Sequence, residues 1–147
     1  MIFYNSFQNA EDFLRAAGFR DIEHNRYYET DMYENSLGTA VGRRNLSAYG
    51  RDYTLLAVVV RGGGYKQEWA GNLTIDDGGM HAGFRDARDE ALRFVKKYIQ
   101  DHGITGNLKI WTGGHSRGAS VSNLIGGFFA GGGNCLFRRQ CIDYAGG

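Results

Sequence analysis

Leu55-Leu56-Ala57-Val58-Val59-Val60 is an uninterrupted apolar run in which β-branched residues are prominent. Side chains branched at Cβ are stiff at χ1 and suit a pleated surface. A strand without polar alternation fits burial on both faces, the usual situation in a sheet with parallel pairing. Just upstream, Leu37, Thr39 and Val41 alternate with Gly38, Ala40 and Gly42, which predicts another strand. Ser47–Asp52 supplies a turn, and Tyr53–Val60 completes an antiparallel hairpin entering a mixed sheet.

The helical segments show a different spacing. Phe84, Ala87, Ala91, Leu92, Phe94, Val95, Tyr98 and Ile99 recur at three- and four-residue steps between charges, and Gly103 ends the pattern. Asn9 is a candidate cap for an earlier helix with Phe13, Leu14 and Ala17 on one face, ended by Gly18. Glu23–Asn35 is polar and tyrosine-rich and reads as a loop, with room for a short strand. Glu68–Ile75 reads as a turn and a strand, and Asp76–Gly79 as a loop. Leu108–Thr112 predicts a strand, Arg117 to about Phe129 a helix broken by Gly131–Gly133, and Cys141–Ala145 the start of a further strand. The expected fold is α/β: a mostly parallel sheet with an antiparallel N-terminal hairpin, flanking helices and right-handed crossovers.

The 147 residues suit one domain, with 1–36 as an N-terminal helix and loop and 37–147 as the core. The 17 basic and 16 acidic residues are interspersed, so no basic stripe points to nucleic acid. Glycine occurs 23 times and proline is absent, against roughly ten glycines expected from average usage. Cys135 and Cys141 read as free thiols, since no secretory signal precedes them. The apolar runs are too short to span a bilayer, and a cytoplasmic location is the expectation. No metal-ligand cluster or cofactor signature is evident.

Gly114-His115-Ser116-Arg117-Gly118 falls between the predicted strand ending at Thr112 and the predicted helix starting at Arg117. A nucleophilic serine on a sharp strand-to-helix turn needs small residues two positions to either side. It also gains from the helix N-terminus, where backbone N–H groups stabilise negative charge. The N–H of Arg117 is the expected first oxyanion donor. The bland alternative is a glycine joint with an ordinary capping serine. After the central strand, Arg61-Gly62-Gly63-Gly64 forms a glycine loop in which Gly63 has an unobstructed N–H for a second donor. No Gly-Lys-Ser/Thr ends this loop and no Gly-x-Gly-x-x-Gly opens a helix, which argues against a phosphate cradle and leaves a plain turn as the alternative.

Four segments, in order, resemble the class 3 lipase family, in particular its bacterial lipase-like members. They are Val58-Val59-Val60-Arg61-Gly62, Glu68-Trp69-Ala70-Gly71-Asn72-Leu73, His81-Ala82-Gly83-Phe84 and Thr112-Gly113-Gly114-His115-Ser116-Arg117-Gly118-Ala119. The resemblance runs from about Gly38 to Ala130. It implies an α/β-hydrolase fold and attack by Ser116 on a small-molecule or lipid ester, with oxyanion donors at Gly63 and Arg117 and no cofactor. Two departures stand out. The family usually carries Thr or Ser where Gly63 stands, and the short stretch between Ile75 and His81 leaves no room for a helical lid.

A hydrolase of this type also draws an Asp and then a His from loops beyond the nucleophile. No histidine follows Ser116, and Asp143 is the only acid there. None of His24, His81, His102 and His115 is assigned as the base. The chain therefore reads as the N-terminal part of a hydrolase, truncated after the elbow, with impaired ester hydrolysis by itself. The alternatives are a non-catalytic interaction domain on the same scaffold, or one part of a split or swapped assembly. An exposed sheet edge would favour homo-oligomers.

Overall fold

The computed structural model describes residues 7–28, 37–62 and 82–133. Within them the chain forms α1 (Phe7–Ala16), β1 (Arg20–His24), β2 (Thr39–Ala48), β3 (Arg51–Val60), α2 (Ala82–Asp101), β4 (Leu108–Gly114) and α3 (Arg117–Phe128), the last continued by a π-helical turn at Phe129–Gly133. The strands lie in the order β1-β2-β3-β4. β1 and β3 both run antiparallel to β2, and β4 runs parallel to β3. The sheet is thus mixed. Among the described residues antiparallel pairing predominates, where the sequence had suggested mostly parallel pairing. Two differences account for this. The hairpin strands are longer than expected, and Arg20–His24 adds an antiparallel edge strand that the sequence had not suggested, overlapping the Glu23–Asn35 stretch read as a loop only at its first two residues.

The apolar run sits where its composition demands. Leu56, Val58 and Val60 face α2 and α3, in one cluster with Val41, Val95, Tyr98, Val121 and Ile125. Ala57 and Val59 point the other way, into a cluster with Ala10, Leu14, Phe19, Tyr28 and Ala40. β3 therefore has helices on both faces, and Leu56 through Val60 are all fully buried. Burial of each such side chain contributes about 1.5–3 kcal/mol.

Two of the three predicted glycine stops, Gly18 and Gly103, close their helices, whereas at the third, Gly131–Gly133, the chain stays helical as the π-helical turn that continues α3. At Gly18 the backbone turns to φ +84; its N–H donates to the Arg15 carbonyl at 2.9 Å and the Phe19 N–H to the Leu14 carbonyl at 2.9 Å. Gly103 repeats the arrangement, with the Ile104 N–H donating to the Ile99 carbonyl at 3.0 Å. In each case an apolar residue past the glycine packs near one on the last turn, the usual companion of this motif. The first helix begins earlier than the sequence suggested. Asn9 lies inside α1 rather than capping it, because Phe7 already packs on the apolar cluster beneath.

α2 is fastened to β1 as well as to the core. The Tyr98 hydroxyl donates to the Asp21 carbonyl at 2.7 Å, and burial pushes the Tyr98 hydroxyl's pKa well above that of a free tyrosine. The Asp21 carboxylate accepts from Arg43 Nε at 2.7 Å, and that bond holds its pKa below the usual carboxylate value. No helix among the described residues is long and apolar enough to cross a membrane.

The β2–β3 turn has only two residues, Tyr49 and Gly50, with φ of 53° and 71°. Positive φ at both central positions is the type I′ requirement, for which Asn-Gly is the favoured pair. Tyr49 is fully solvent-exposed and packs on nothing that would offset its backbone conformation. Tyr49→Asn is therefore expected to raise stability by about 0.5–1 kcal/mol, read as a higher denaturant midpoint with unchanged slope. An unchanged or lower midpoint would count against this account of the turn.

Candidate functional site at the strand-to-helix turn

β4 ends at Gly114 and α3 begins at Arg117, so the reversal takes only His115 and Ser116. The Gly118 N–H donates to the His115 carbonyl at 3.0 Å, and the Ala119 N–H to the Ser116 carbonyl at 2.9 Å. Ser116 has φ 56° and ψ −126°. These are the angles of the first central residue of a type II′ turn, a position that glycine ordinarily fills. Holding an L-residue there costs about 1–3 kcal/mol. The Ser116 side chain makes no capping hydrogen bond to α3, although an ordinary N-cap serine would do so. The residue itself is exposed, while Arg117 and Gly118 behind it are buried.

Both flanking glycines are there for steric reasons. A Cβ on Gly114 would lie 2.4 Å from the carbonyl carbon and oxygen of Gly118 and 2.7 Å from Ser122 Oγ. A Cβ on Gly118 would lie 2.3 Å from the Val60 carbonyl oxygen and 2.9 Å from that of Arg61. The start of α3 is therefore pressed directly against the end of β3. This follows from the register, in which Val60 pairs with Gly114.

Sequence reasoning did not single out Gly62 as a site residue. A Cβ there would stand 2.8 Å from the His115 carbonyl oxygen and 3.5 Å from Ser116 Cβ. The hints in the sequence were its place at the head of a glycine cluster after the central strand and at the end of the lipase-like segment Val58–Gly62. The His115 ring leans toward the same residue, with Nδ1 3.5 Å from that position. Arg117 holds the first position of α3, and its guanidinium carbon lies 5.7 Å from the Phe84 ring centroid near the start of α2. The Arg117 side chain thus reaches the first turn of α2, and the N-terminus of α3 presents partial positive charge beside Ser116.

Gly63, the second expected donor, lies outside the described residues, as do His81, Asp143, both cysteines and the Glu68–Leu73 segment. Two of the remaining histidines belong to the far edge of the sheet. His24 ends β1; its Nδ1 is 2.8 Å from the Asn25 carbonyl and its ring centroid 4.1 Å from that of Phe7. His102 Nε2 is 2.7 Å from Glu23 Oε1 on the same strand. Three strand spacings separate β1 from β4, roughly 14 Å, so neither is the immediate neighbour of Ser116. No group of three or more His, Cys, Asp or Glu able to hold a metal occurs among the described residues.

No protein-family model, curated protein or solved structure matches the chain.

Proposed function

We propose that Ser116 is the nucleophile of a serine carboxylic-ester hydrolase of the α/β-hydrolase type, acting on a small-molecule or lipid ester. One observation carries this reading: an exposed serine held at φ 56° and ψ −126° at the head of α3, with no capping bond to explain its presence. A serine whose only task was to join β4 to α3 would relax to an extended cap or be replaced by glycine. Strain retained at a reactive, exposed hydroxyl is what a nucleophile turn requires, since it lifts the oxygen clear of the backbone.

The chemistry follows from that placement. The Ser116 oxygen bonds to the ester carbonyl carbon while its proton passes to water, and the carbonyl π pair moves onto the carbonyl oxygen. Collapse of this oxyanion breaks the bond to the alcohol, which leaves with a proton from water. With no base assigned to Ser116, this turnover is slow. The Arg117 N–H, at the positive end of α3, is the donor for that oxyanion, and Gly63 is the second donor that the lipase-like resemblance implies. A single preorganised donor of this kind is worth about 10²–10³ in rate. The three close approaches at Gly62, Gly114 and Gly118 hold the turn stiff, so the donor need not be reorganised during attack.

A fluorophosphonate probe tests the reading directly. Intact-mass analysis of the folded protein should show one adduct, mapped to Ser116 and absent from Ser116→Ala. A folded wild-type chain that takes no label would overturn the assignment.

A further inference from the structure

The geometry points to Arg61 as a positioning residue for Ser116: its side chain anchors the end of β3 and so sets how closely Gly62 approaches the nucleophile turn. This rests on the nucleophile reading above. Arg61 is the first residue after β3, where the regular ladder has ended. Its backbone N–H donates to the Gly38 carbonyl at 2.8 Å. Its Nη1 donates to the Tyr28 carbonyl, and its guanidinium carbon lies 5.9 Å from the Tyr28 ring centroid.

Both acceptors belong to a rigid platform. Tyr28 is fully buried, and burial pushes its hydroxyl pKa up to about 12. Gly38 is packed so tightly that a Cβ would sit 2.6 Å from Tyr28 Cα. Asn25 locks the same segment in place: its Oδ1 accepts from the Thr39 N–H at 3.0 Å, and its Nδ2 donates to the Leu37 carbonyl at 3.2 Å.

On its other side, the main chain of Arg61 meets the elbow. The Arg61 carbonyl stands 2.9 Å from where a Gly118 Cβ would be, and the next residue, Gly62, abuts the His115 carbonyl and Ser116 Cβ. The 61–62 step is therefore a shim between the platform and the serine turn. The main-chain bond to Gly38 holds this step at one point, and the guanidinium bond to Tyr28 holds it at a second. Misplacement by about 1 Å at a reacting centre can reduce rate by about 100-fold.

The test compares second-order rate constants for fluorophosphonate labelling, measured well below the melting temperature so that every variant is fully folded. Arg61→Ala should label about 10–100-fold more slowly than wild type. Arg61→Lys keeps a donor able to reach the Tyr28 carbonyl and should recover most of that loss. A residue that merely stabilised the fold would alter the melting temperature and leave both rates alone. Should Arg61→Ala not fold, Arg61→Met, which keeps the stem and loses the donor, takes its place under the same criteria. The inference is overturned if the Ala or Met variant labels at the wild-type rate, or if Arg61→Lys is no faster than they are. A wild-type chain that takes no label is a distinct result, and it overturns the nucleophile reading itself.

Discussion

Gly118→Ala is expected to lower the melting temperature by about 6–12 °C or more, corresponding to roughly 3 kcal/mol for a chain of this length. The added methyl carbon would enter at 2.3 Å from the Val60 carbonyl oxygen and 2.9 Å from that of Arg61. Both are main-chain atoms at the end of the central strand, and neither can rotate aside as a side chain would. Relief requires α3 to move off β3, which would open the contact with Val121 and Ile125 in the core. Gly127→Ala is the control on the same helix. Nothing lies within 4 Å of its Cβ position, so the gain in helix propensity should appear unopposed, about 0.5–1 kcal/mol of added stability. Two melting curves decide the matter. Equal behaviour of the two variants would refute the close approach of helix and strand.

Ser116→Gly is expected to be more stable than the wild type while losing all fluorophosphonate labelling. Glycine adopts the II′ position without steric cost, so much of the 1–3 kcal/mol held by the serine is released. The greater freedom of glycine in the unfolded chain takes back about 0.4–1 kcal/mol. The net gain is up to about 2 kcal/mol, or as much as roughly 8 °C in melting temperature. Ser116→Ala removes the hydroxyl but keeps a Cβ, and with it the strain, so its melting temperature should stay close to wild type. Matching melting temperatures for the Gly and Ala variants would mean that the turn stores no more than the roughly 0.4–1 kcal/mol that glycine gives up in the unfolded chain, and the nucleophile reading would lose its main support.

Different parts of the molecule were legible in the sequence to different degrees. Leu55–Val60 announced a strand buried on both faces, because six apolar residues in succession have no other stable place in a chain with helices to cover them. α2 was legible from its three- and four-residue spacing, and the helix stops at Gly18 and Gly103 from the backbone conformation they permit. The elbow glycines, Gly114 and Gly118, were legible as a motif, but only at Gly114 is the crowding local to the turn, since at Gly118 it comes from the Val60 and Arg61 carbonyls. β1 was not. Arg20-Asp21-Ile22-Glu23-His24 is a charged segment with one apolar residue, and it becomes a strand only because the free edge of β2 offers it a hydrogen-bonding partner. Propensity says little about such an edge strand, since its pairing lies in another part of the chain.

The local properties of the serine turn were therefore written in the sequence: a hydroxyl between two glycines, at a strand-to-helix joint, beside the positive end of a helix. The pattern lies within five consecutive residues, although the crowding that requires glycine at position 118 comes from the Val60 and Arg61 carbonyls. What surrounds the turn was decided only by the tertiary structure. Gly62 reaches Ser116 because β3 and β4 pair in parallel with Val60 beside Gly114. Arg61 reaches Tyr28 because the hairpin brings residues far apart in the chain to the same end of the sheet. These contacts depend on strand register, and register is set by how two buried faces fit together, a property of the whole sheet that no single segment encodes.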